Sequence, residues 1–149
     1  MSRIITFRGQ LAMGVQERLS LHTLTGEKGY QLTKFQLMSS VPGASASVTY
    51  VGKVYSTDQT NKVTSTVDIG QTDLLGINYY QDTVAPQYPF SSQIIVDPKI
   101  VNQDMFVYIT DPDGGTLACN YYIEIKALDL AKDEATVATL KDIRNAGSQ

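Results

Sequence analysis

Apolar and polar residues alternate with a period of two along most of this chain, in short runs that are separated by turn residues. This rhythm predicts an all-β protein, and we expect an antiparallel β-sandwich of jelly-roll type with about eight strands. A polar turn at residues 25–29 predicts a hairpin between strands at 16–23 and 30–38. In the second of these strands the apolar positions change register, which predicts a bulge or a change of face near Thr33 and Lys34.

Three further strands are predicted downstream, at residues 47–55, 63–69 and 92–96. The first has Val48 and Tyr50 at the positions that point toward the core. The second alternates apolar and polar residues strictly, which is typical of a half-buried strand. The third is a short apolar run.

The least regular stretch covers residues 70–90, where glycines and prolines stand among leucines and tyrosines. It predicts long surface connections with one short strand near residues 76–80. Because binding residues often lie on loops that a rigid scaffold holds, Tyr79, Tyr80 and Tyr88 are the candidate binding surface. The alternative is that these tyrosines close one end of the sandwich, with buried rings and solvated hydroxyls.

The last third predicts a hairpin over residues 105–128, with its turn at 111–115. The strand at 105–110 is apolar on both faces, so we expect it to be covered on both faces. The sandwich core is one cover, and a C-terminal helix or another subunit is the other. The return strand alternates apolar with polar residues and reads as half-buried.

Residues 133–145 predict a short amphipathic α-helix that Asp133 caps, with an apolar stripe of Val137, Leu140 and Ile143. A helix of this length is marginal in water unless its apolar face is buried. That face packs either on its own sandwich or on a neighbouring chain.

Length, charge and hydropathy narrow the class of protein. The 149 residues fit one domain, a sandwich at 1–130 with the helix and tail at 131–149 as part of it. A net charge of -3 offers no basic surface for nucleic acid. No apolar run is long enough for a secretory leader or a membrane span, so we expect synthesis in a cytoplasm and no membrane partner.

Groups that carry catalysis are scarce. His22 is the only histidine and Cys119 the only cysteine, so a disulfide within the chain and a metal site built from histidine and cysteine are excluded by count. Nothing near any serine or near Cys119 supports a nucleophile paired with His22. We expect His22 to be exposed on a strand and Cys119 to be a small core residue, and we expect no enzyme activity and no cofactor.

Asp111 and Asp113, followed by two glycines, resemble the start of a calcium loop. The later acidic ligand of such a loop is missing, and an Asp-Pro-Asp-Gly run is itself a strong turn signal. The sequence therefore favours a turn over an ion site here.

Two stretches near the C-terminus, residues 120–125 and 135–145, look like the ending of small virion structural proteins of marine tailed phages. Residues 8–11 and 29–36 resemble the same group, while the middle of the chain, about 41–90, has no counterpart. The resemblance implies a repeated shell, head or tail component that works by contact.

The expectation is a non-enzymatic protein of a phage particle, made in the host cytoplasm and located in the virion as a decoration, cement or minor capsid subunit. Its partners are other virion proteins, either copies of itself or the major capsid protein. The residues expected to bind these partners are Val137, Leu140, Ile143, Tyr79, Tyr80 and Tyr88.

Two further particle roles, tail component and adaptor, stay open. The alternative from another class is a carbohydrate-binding module, because exposed tyrosines on a β-sandwich can stack on sugar rings. The absence of tryptophan weakens that alternative. A hydrolase with carboxylates that meet only in space is third.

Overall fold

The computed structural model describes residues 3–21, 27–41, 48–59, 66–82, 90–97 and 99–130. Within these residues eight β-strands form two antiparallel sheets, which confirms the all-β prediction. The predicted C-terminal helix lies outside the described residues. In chain order the strands are β1 (Arg3–Leu11), β2 (Gln16–Leu19), β3 (Lys28–Ser39), β4 (Val48–Tyr55), β5 (Leu74–Asp82), β6 (Phe90–Ile95), β7 (Met105–Thr110) and β8 (Cys119–Asp129).

The smaller sheet has the strand order β1-β8-β3, and the larger sheet has the order β2-β7-β4-β5-β6. The sheets face each other in a sandwich-like arrangement, since β3 lies against β5 and β6 of the other sheet. A tight turn between β1 and β2, with Gly14 at φ 78°, carries the chain from one sheet to the other. Only glycine adopts this left-handed conformation without strain.

Both hairpins predicted from turn signals are wrong. β2 pairs with β7 and β3 pairs with β8, so the first two predicted partners belong to different sheets. β7 and β8 are also in different sheets. The segment of residues 111–118 between β7 and β8 is longer than the two to five residues of a hairpin loop, and it spans the roughly 10 Å between packed sheets. Alternation locates strands, but it does not choose their partners.

The core lies between the inner faces of the two sheets, where side chains of β8 and β3 meet those of β4 and β7. The prediction that β7 is covered on both faces is confirmed in part. Val107 and Ile109 are fully buried on the core side, while on the opposite side Tyr108 is buried and Phe106 is half-buried. A second, smaller apolar cluster lies on that outer side of the larger sheet. Its members are Tyr55, Leu74 and Ile77, with Val96 packed against them.

The predicted bulge in β3 is confirmed, and polar side chains of the opposite sheet bind the backbone groups next to it. The register of β3 against β8 shifts between Leu32 and Lys34. Just beyond the shift, the Phe35 N–H donates to Gln93 Oε1 at 2.5 Å, and Asn78 Nδ2 donates to the Phe35 carbonyl at 3.0 Å. Because Asn78 and Gln93 come from β5 and β6, they tie the two sheets together through the backbone of β3.

Replacing Asn78 with alanine is expected to lower the free energy of unfolding by about 2 kcal/mol, because the buried Phe35 carbonyl then loses its donor. Urea unfolding followed by circular dichroism measures this change. The control is Gln81→Ala on the same strand, since Gln81 lies on the opposite face and is only half-buried. Equal effects of the two substitutions would contradict the assigned role of Asn78.

Predictions for the middle of the chain hold only in part. Residues 66–69, the described part of the strand predicted at 63–69, are exposed and contain no strand. The short strand predicted near residues 76–80 is confirmed but is longer than expected, because the nine-residue strand β5 fills much of the stretch expected to hold surface connections and lies between β4 and β6. Gly76, which looks like a turn residue, is there because a Cβ would come within 2.7 Å of Leu32 Cδ2 from the facing sheet.

Candidate functional site

Tyr79 and Tyr80 lie on strand β5 and not on a loop, so they point to opposite faces of the larger sheet. Tyr80 is buried in the core, where its ring stacks on Tyr50 with a centroid separation of 5.9 Å. Tyr79 points outward and is 36% exposed. The prediction that this pair shares one binding surface is therefore wrong, and Tyr80 is a packing residue.

The other four candidate contact residues lie outside the described residues. Their assignment to partner binding stays a prediction. These residues are Tyr88, Val137, Leu140 and Ile143.

An exposed apolar patch remains around Tyr79, on the outer face of β5 and β6. Tyr79 is opposite Ser92, and Ile77 is opposite Ile94, so Tyr79 and Ile94 are diagonal neighbours on one face. Ile94 is 48% exposed, whereas Ile77 below it is buried in the outer apolar cluster. We call Tyr79 and Ile94 the β5–β6 patch. It offers apolar contact area with one hydroxyl and no group for acid-base chemistry.

A buried polar cluster surrounds Asp73, at the start of β5. Asp73 Oδ2 accepts hydrogen bonds from the Thr57 hydroxyl and from Gln59 Nε2, the second at 2.6 Å. The Asp73 carbonyl accepts from the Ser56 N–H at 2.9 Å. Oδ1 of the same carboxylate is buried without a hydrogen-bond partner in the part of the chain that the structure describes. These hydrogen bonds hold residues 56–59 against the beginning of β5, so the role of the cluster is structural.

Lys53 is 1% exposed on the outer face of β4, an unusual environment for an ammonium group. Its Nζ donates to the Thr66 carbonyl at 2.6 Å and lies 5.9 Å from the centroid of the Tyr55 ring. Burial lowers the pKa of Lys53. The ammonium thus fastens the backbone at Thr66 across the outer side of the larger sheet.

Two carboxylates hold strand β2 in place, one from Asp104 and one from Glu17. Asp104 forms an ion pair with Arg18 and accepts from the Leu21 N–H at 2.8 Å. Glu17 accepts from the Tyr121 hydroxyl at 2.5 Å, so it joins the edge strand β2 of the larger sheet to the central strand β8 of the smaller sheet. Burial, followed by this contact with Glu17, raises the pKa of Tyr121. Each carboxylate is therefore bound to a backbone or side-chain donor of the scaffold.

Cysteine and histidine are the other residue types that could take part in catalysis, and the chain has one of each. Cys119 is fully buried, and burial raises the pKa of its thiol to about 12, which keeps it protonated at neutral pH. The core position predicted for Cys119 is confirmed. The predicted exposure of His22 lies outside the described residues.

The turn predicted at residues 111–115 is confirmed. Asp111 Oδ1 accepts from the Asp113 N–H at 2.8 Å, the Asp111 carbonyl accepts from the Gly114 N–H at 3.1 Å, and Gly114 has a φ of 83°. Among the described residues, no group of three or more histidine, cysteine, aspartate or glutamate side chains is placed to hold a metal ion.

A cleft of about 290 Å³ opens at the end of the sandwich where the chain leaves β8. Ile5 and Tyr30 form its apolar part, and Arg3 also lines it. Lys28 and Asp129, also in its lining, form an ion pair with each other. The charged groups of this pair therefore neutralise each other.

Sequence reasoning missed Lys53, Asp73 and Asn78 as structural polar residues. The only signal of a buried role was that Asn78 occupies an inward position of a strand. Lysine and aspartate usually face solvent, so nothing in the sequence marks Lys53 and Asp73 as buried. In comparisons with known proteins, no protein-family model, no curated protein and no solved structure matches this chain. The described residues include no helix of the length and apolarity that crossing a membrane requires.

Proposed function

We propose that this chain is a non-enzymatic structural subunit of a phage particle, of the decoration or cement kind, that acts through protein–protein contacts. Other virion proteins are its partners, including further copies of itself. The resemblance at residues 8–11, 29–36, 120–125 and 135–145 supports this assignment, and the jelly-roll topology and the C-terminal helix are part of the same proposal.

One observation carries the proposal: the buried polar groups bind segments of the scaffold, while apolar side chains remain on outer faces. Asp73, Lys53 and Asn78 each hold backbone atoms of another segment. Tyr79 and Ile94, in contrast, are partly open to solvent on a sheet face. A subunit that must stay rigid and add to a surface needs this distribution, because its free energy of association comes from exposed apolar area.

The carbohydrate-binding alternative loses its main support when Tyr79 and Tyr80 are on opposite faces. Sugar recognition by stacking requires aromatic rings that line one surface. Tyr80 stacks on Tyr50 inside the core and offers no face to a ligand. A glycan array with the purified protein tests this directly, and saturable sugar binding that Tyr79→Ala abolishes would favour the module over the particle subunit.

Binding to particles that lack this subunit tests the proposal, with cosedimentation as the measurement. We expect saturable binding at a fixed copy number. The double variant Tyr79→Ser, Ile94→Ser is expected to bind at least about tenfold more weakly, because both partly buried apolar contacts of the β5–β6 patch are lost.

The matched control is Gln36→Ser, an exposed outer-face position of β3 on the other sheet, which is expected to bind as the wild type does. No saturable binding by the folded wild-type chain would contradict the proposed function. Wild-type binding that only Gln36→Ser weakens would keep the function but remove the β5–β6 patch from the interface.

A further inference from the structure

The open edge of β1 is the feature that carries a new inference. Among the described strands β1 pairs only with β8, along its whole length from Arg3 to Leu11. Its other side therefore presents backbone N–H and C=O groups, and such an edge is a template for another strand. The hydrogen bonds of β3, the strand on the other side of β8, show which residues of β1 present these groups.

Those hydrogen bonds belong to β3, which lies on the opposite side of β8. Tyr30 exchanges two backbone bonds with Val101, N–H to carbonyl at 2.7 Å and the reverse at 2.9 Å. Phe35 uses both of its backbone groups to bind Gln93 and Asn78. The backbone groups of Tyr30 and Phe35 thus point away from β8.

Opposite residues in an antiparallel pair either exchange both bonds or both point away from each other. Phe35 is opposite Ile123, so the backbone N–H and C=O of Ile123 point away from β3 and toward β1. On β1 the residue opposite Ile123 is Phe7. Phe7 therefore bonds to β8. The pairing of Tyr30 with Ala127 gives the same phase at the other end of the sheet.

The register of β1 on β8 has no shift, so the phase holds along the strand. Arg3, Ile5, Phe7, Gly9 and Leu11 bond to β8. The alternate residues aim their N–H and C=O groups at the open side, and no hydrogen bond within the described residues uses these groups. They are Ile4, Thr6, Arg8 and Gln10.

The other described edges are shorter or already engaged. β3 uses its open side to bind Val101, Gln93 and Asn78. β2 has four residues, and its Gln16 side chain is bound to the Gln59 N–H at 2.7 Å. β6 has six residues. With nine residues and no proline, β1 is the longest open edge among the described strands.

We propose that β1 pairs antiparallel with β1 of a second copy of this chain, about a twofold axis at Phe7. In the register that overlaps both strands fully, Ile4 is opposite the partner's Gln10 and Thr6 is opposite the partner's Arg8. All of these are outward-pointing residues, so full overlap is also the register in which the backbone groups of the two edges meet in phase.

Side chains fit this register as well. On the inner face, Phe7 meets the partner's Phe7, and Ile5 is opposite the partner's Gly9. Within each subunit the Tyr121 ring lies over Gly9, 3.0 Å from where a Cβ would stand, so Ile5 meets this ring and not an empty space. Ile5 and Phe7 are only partly buried within one subunit although they pack against its core. Arg8 is opposite a threonine and Arg3 is opposite a leucine, so no like charges are directly opposite each other. The two Arg8 side chains are diagonal neighbours on the outer face, where solvent screens their repulsion.

Sedimentation equilibrium of the purified chain tests the pairing. We expect a monomer–dimer equilibrium in the wild type and a dissociation constant at least about tenfold higher in Thr6→Pro, because proline removes an outward N–H that the subunit itself does not use. Thr6→Ala keeps that N–H and is the control, expected to dimerise like the wild type. A wild type that remains monomeric at millimolar concentration, or a Thr6→Pro variant that dimerises normally, would overturn the proposal.

Oxidative cross-linking provides a second readout that does not depend on proline. Phe7 and the partner's Phe7 form a non-hydrogen-bonded pair, with Cα atoms about 4.5 Å apart, which is within disulfide range. Phe7→Cys is therefore expected to give a covalent dimer with diamide, whereas Gln10→Cys, far from its own copy in this register, is not. The buried Cys119 is present in both variants and in the wild type, which serves as the blank.

Equal cross-linking of the two cysteine variants would overturn the register. These tests use the purified chain alone, so their failure leaves binding to particles, and with it the proposed function, untouched.

Discussion

Replacing Gly52 with valine is expected to destabilise the protein by about 3 kcal/mol or more, because it overfills the core beneath β4. A Cβ at Gly52 would come within 2.8 Å of Leu37 Cδ1 and within 2.8 Å of Phe35 Cζ. Both neighbours belong to β3 and are buried, Phe35 completely. Neither side chain can move aside without displacing others, so the sheets must separate locally.

The control for Gly52→Val is the same substitution at Gly70. A Cβ there approaches only Asp68 Oδ1, at 3.2 Å. That exposed side chain can turn away and loses only the hydrogen bond that it accepts from the Gly70 N–H at 2.9 Å. Gly70→Val is therefore expected to change stability by less than about 1 kcal/mol. Chemical unfolding of both variants, monitored by circular dichroism, gives the comparison.

A second substitution tests the mechanism itself. Leu37→Ala alone leaves a cavity, but in the Gly52→Val background it provides space for the new methyl groups. The double variant is expected to be less destabilised than the sum of the two single variants, because residues in contact are not additive. Additive effects would show that Gly52 is not held by its contact with Leu37.

Most of the strands are predictable because each buries one face against the other sheet, but β1 is not predicted from the sequence. The sequence alternation located β4 and β7 well, and the register change at Thr33 and Lys34 marked the bulge in β3. These signals are local, since a side chain's period and its immediate neighbours determine them. Pairing is not local, and both predicted hairpins failed for that reason.

The strand β5 shows a second limit of sequence reasoning. Gly76 and Asn78 look like loop residues, yet Gly76 lies under Leu32 and Asn78 binds the Phe35 carbonyl. Both are explained by features of β3, more than forty positions earlier in the chain. The sequence therefore predicts only a short strand at residues 76–80 among surface connections, and this setting makes Tyr79 and Tyr80 look like one binding surface although the strand points them to opposite faces.

Raising the pH above about 9 is expected to destabilise the protein steeply. Burial raises the pKa of Tyr50 and the pKa of Tyr55 from 10.0 to about 12, and it raises the pKa of the Cys119 thiol from 9.0 to about 12. In the unfolded chain these groups release their protons at the ordinary values, while in the folded chain they still hold them. The folded state therefore binds more protons in this window, and the free energy of unfolding falls as the pH rises.

Lys53 acts in the opposite direction. Burial lowers its pKa from 10.5, so the unfolded chain holds this proton to higher pH than the folded chain does. Stability from this one group is lost as the pH falls and is gained as the pH rises toward 10.5. One lysine is outweighed by Tyr50, Tyr55 and Cys119, whose stabilisation is complete below about pH 9 and is lost toward about pH 12.

Urea unfolding at a series of pH values, with tyrosinate absorbance recorded in parallel, measures this loss. Each raised group contributes a slope of about 1.4 kcal/mol per pH unit inside its window, so the wild-type slope is expected to exceed that of a single group. Tyr50→Phe removes one group and is expected to flatten the slope, although it also loses the hydrogen bond from the Tyr50 hydroxyl to the Leu117 carbonyl. The loss of that hydrogen bond lowers the free energy of unfolding already at neutral pH, where no tyrosine titrates. The slope of the free energy of unfolding against pH therefore separates the titration from the hydrogen bond. A wild type whose stability stays flat from neutral pH to about pH 11 would mean that water reaches these hydroxyls, and the sandwich core around Tyr50 would then be more open than its contacts indicate.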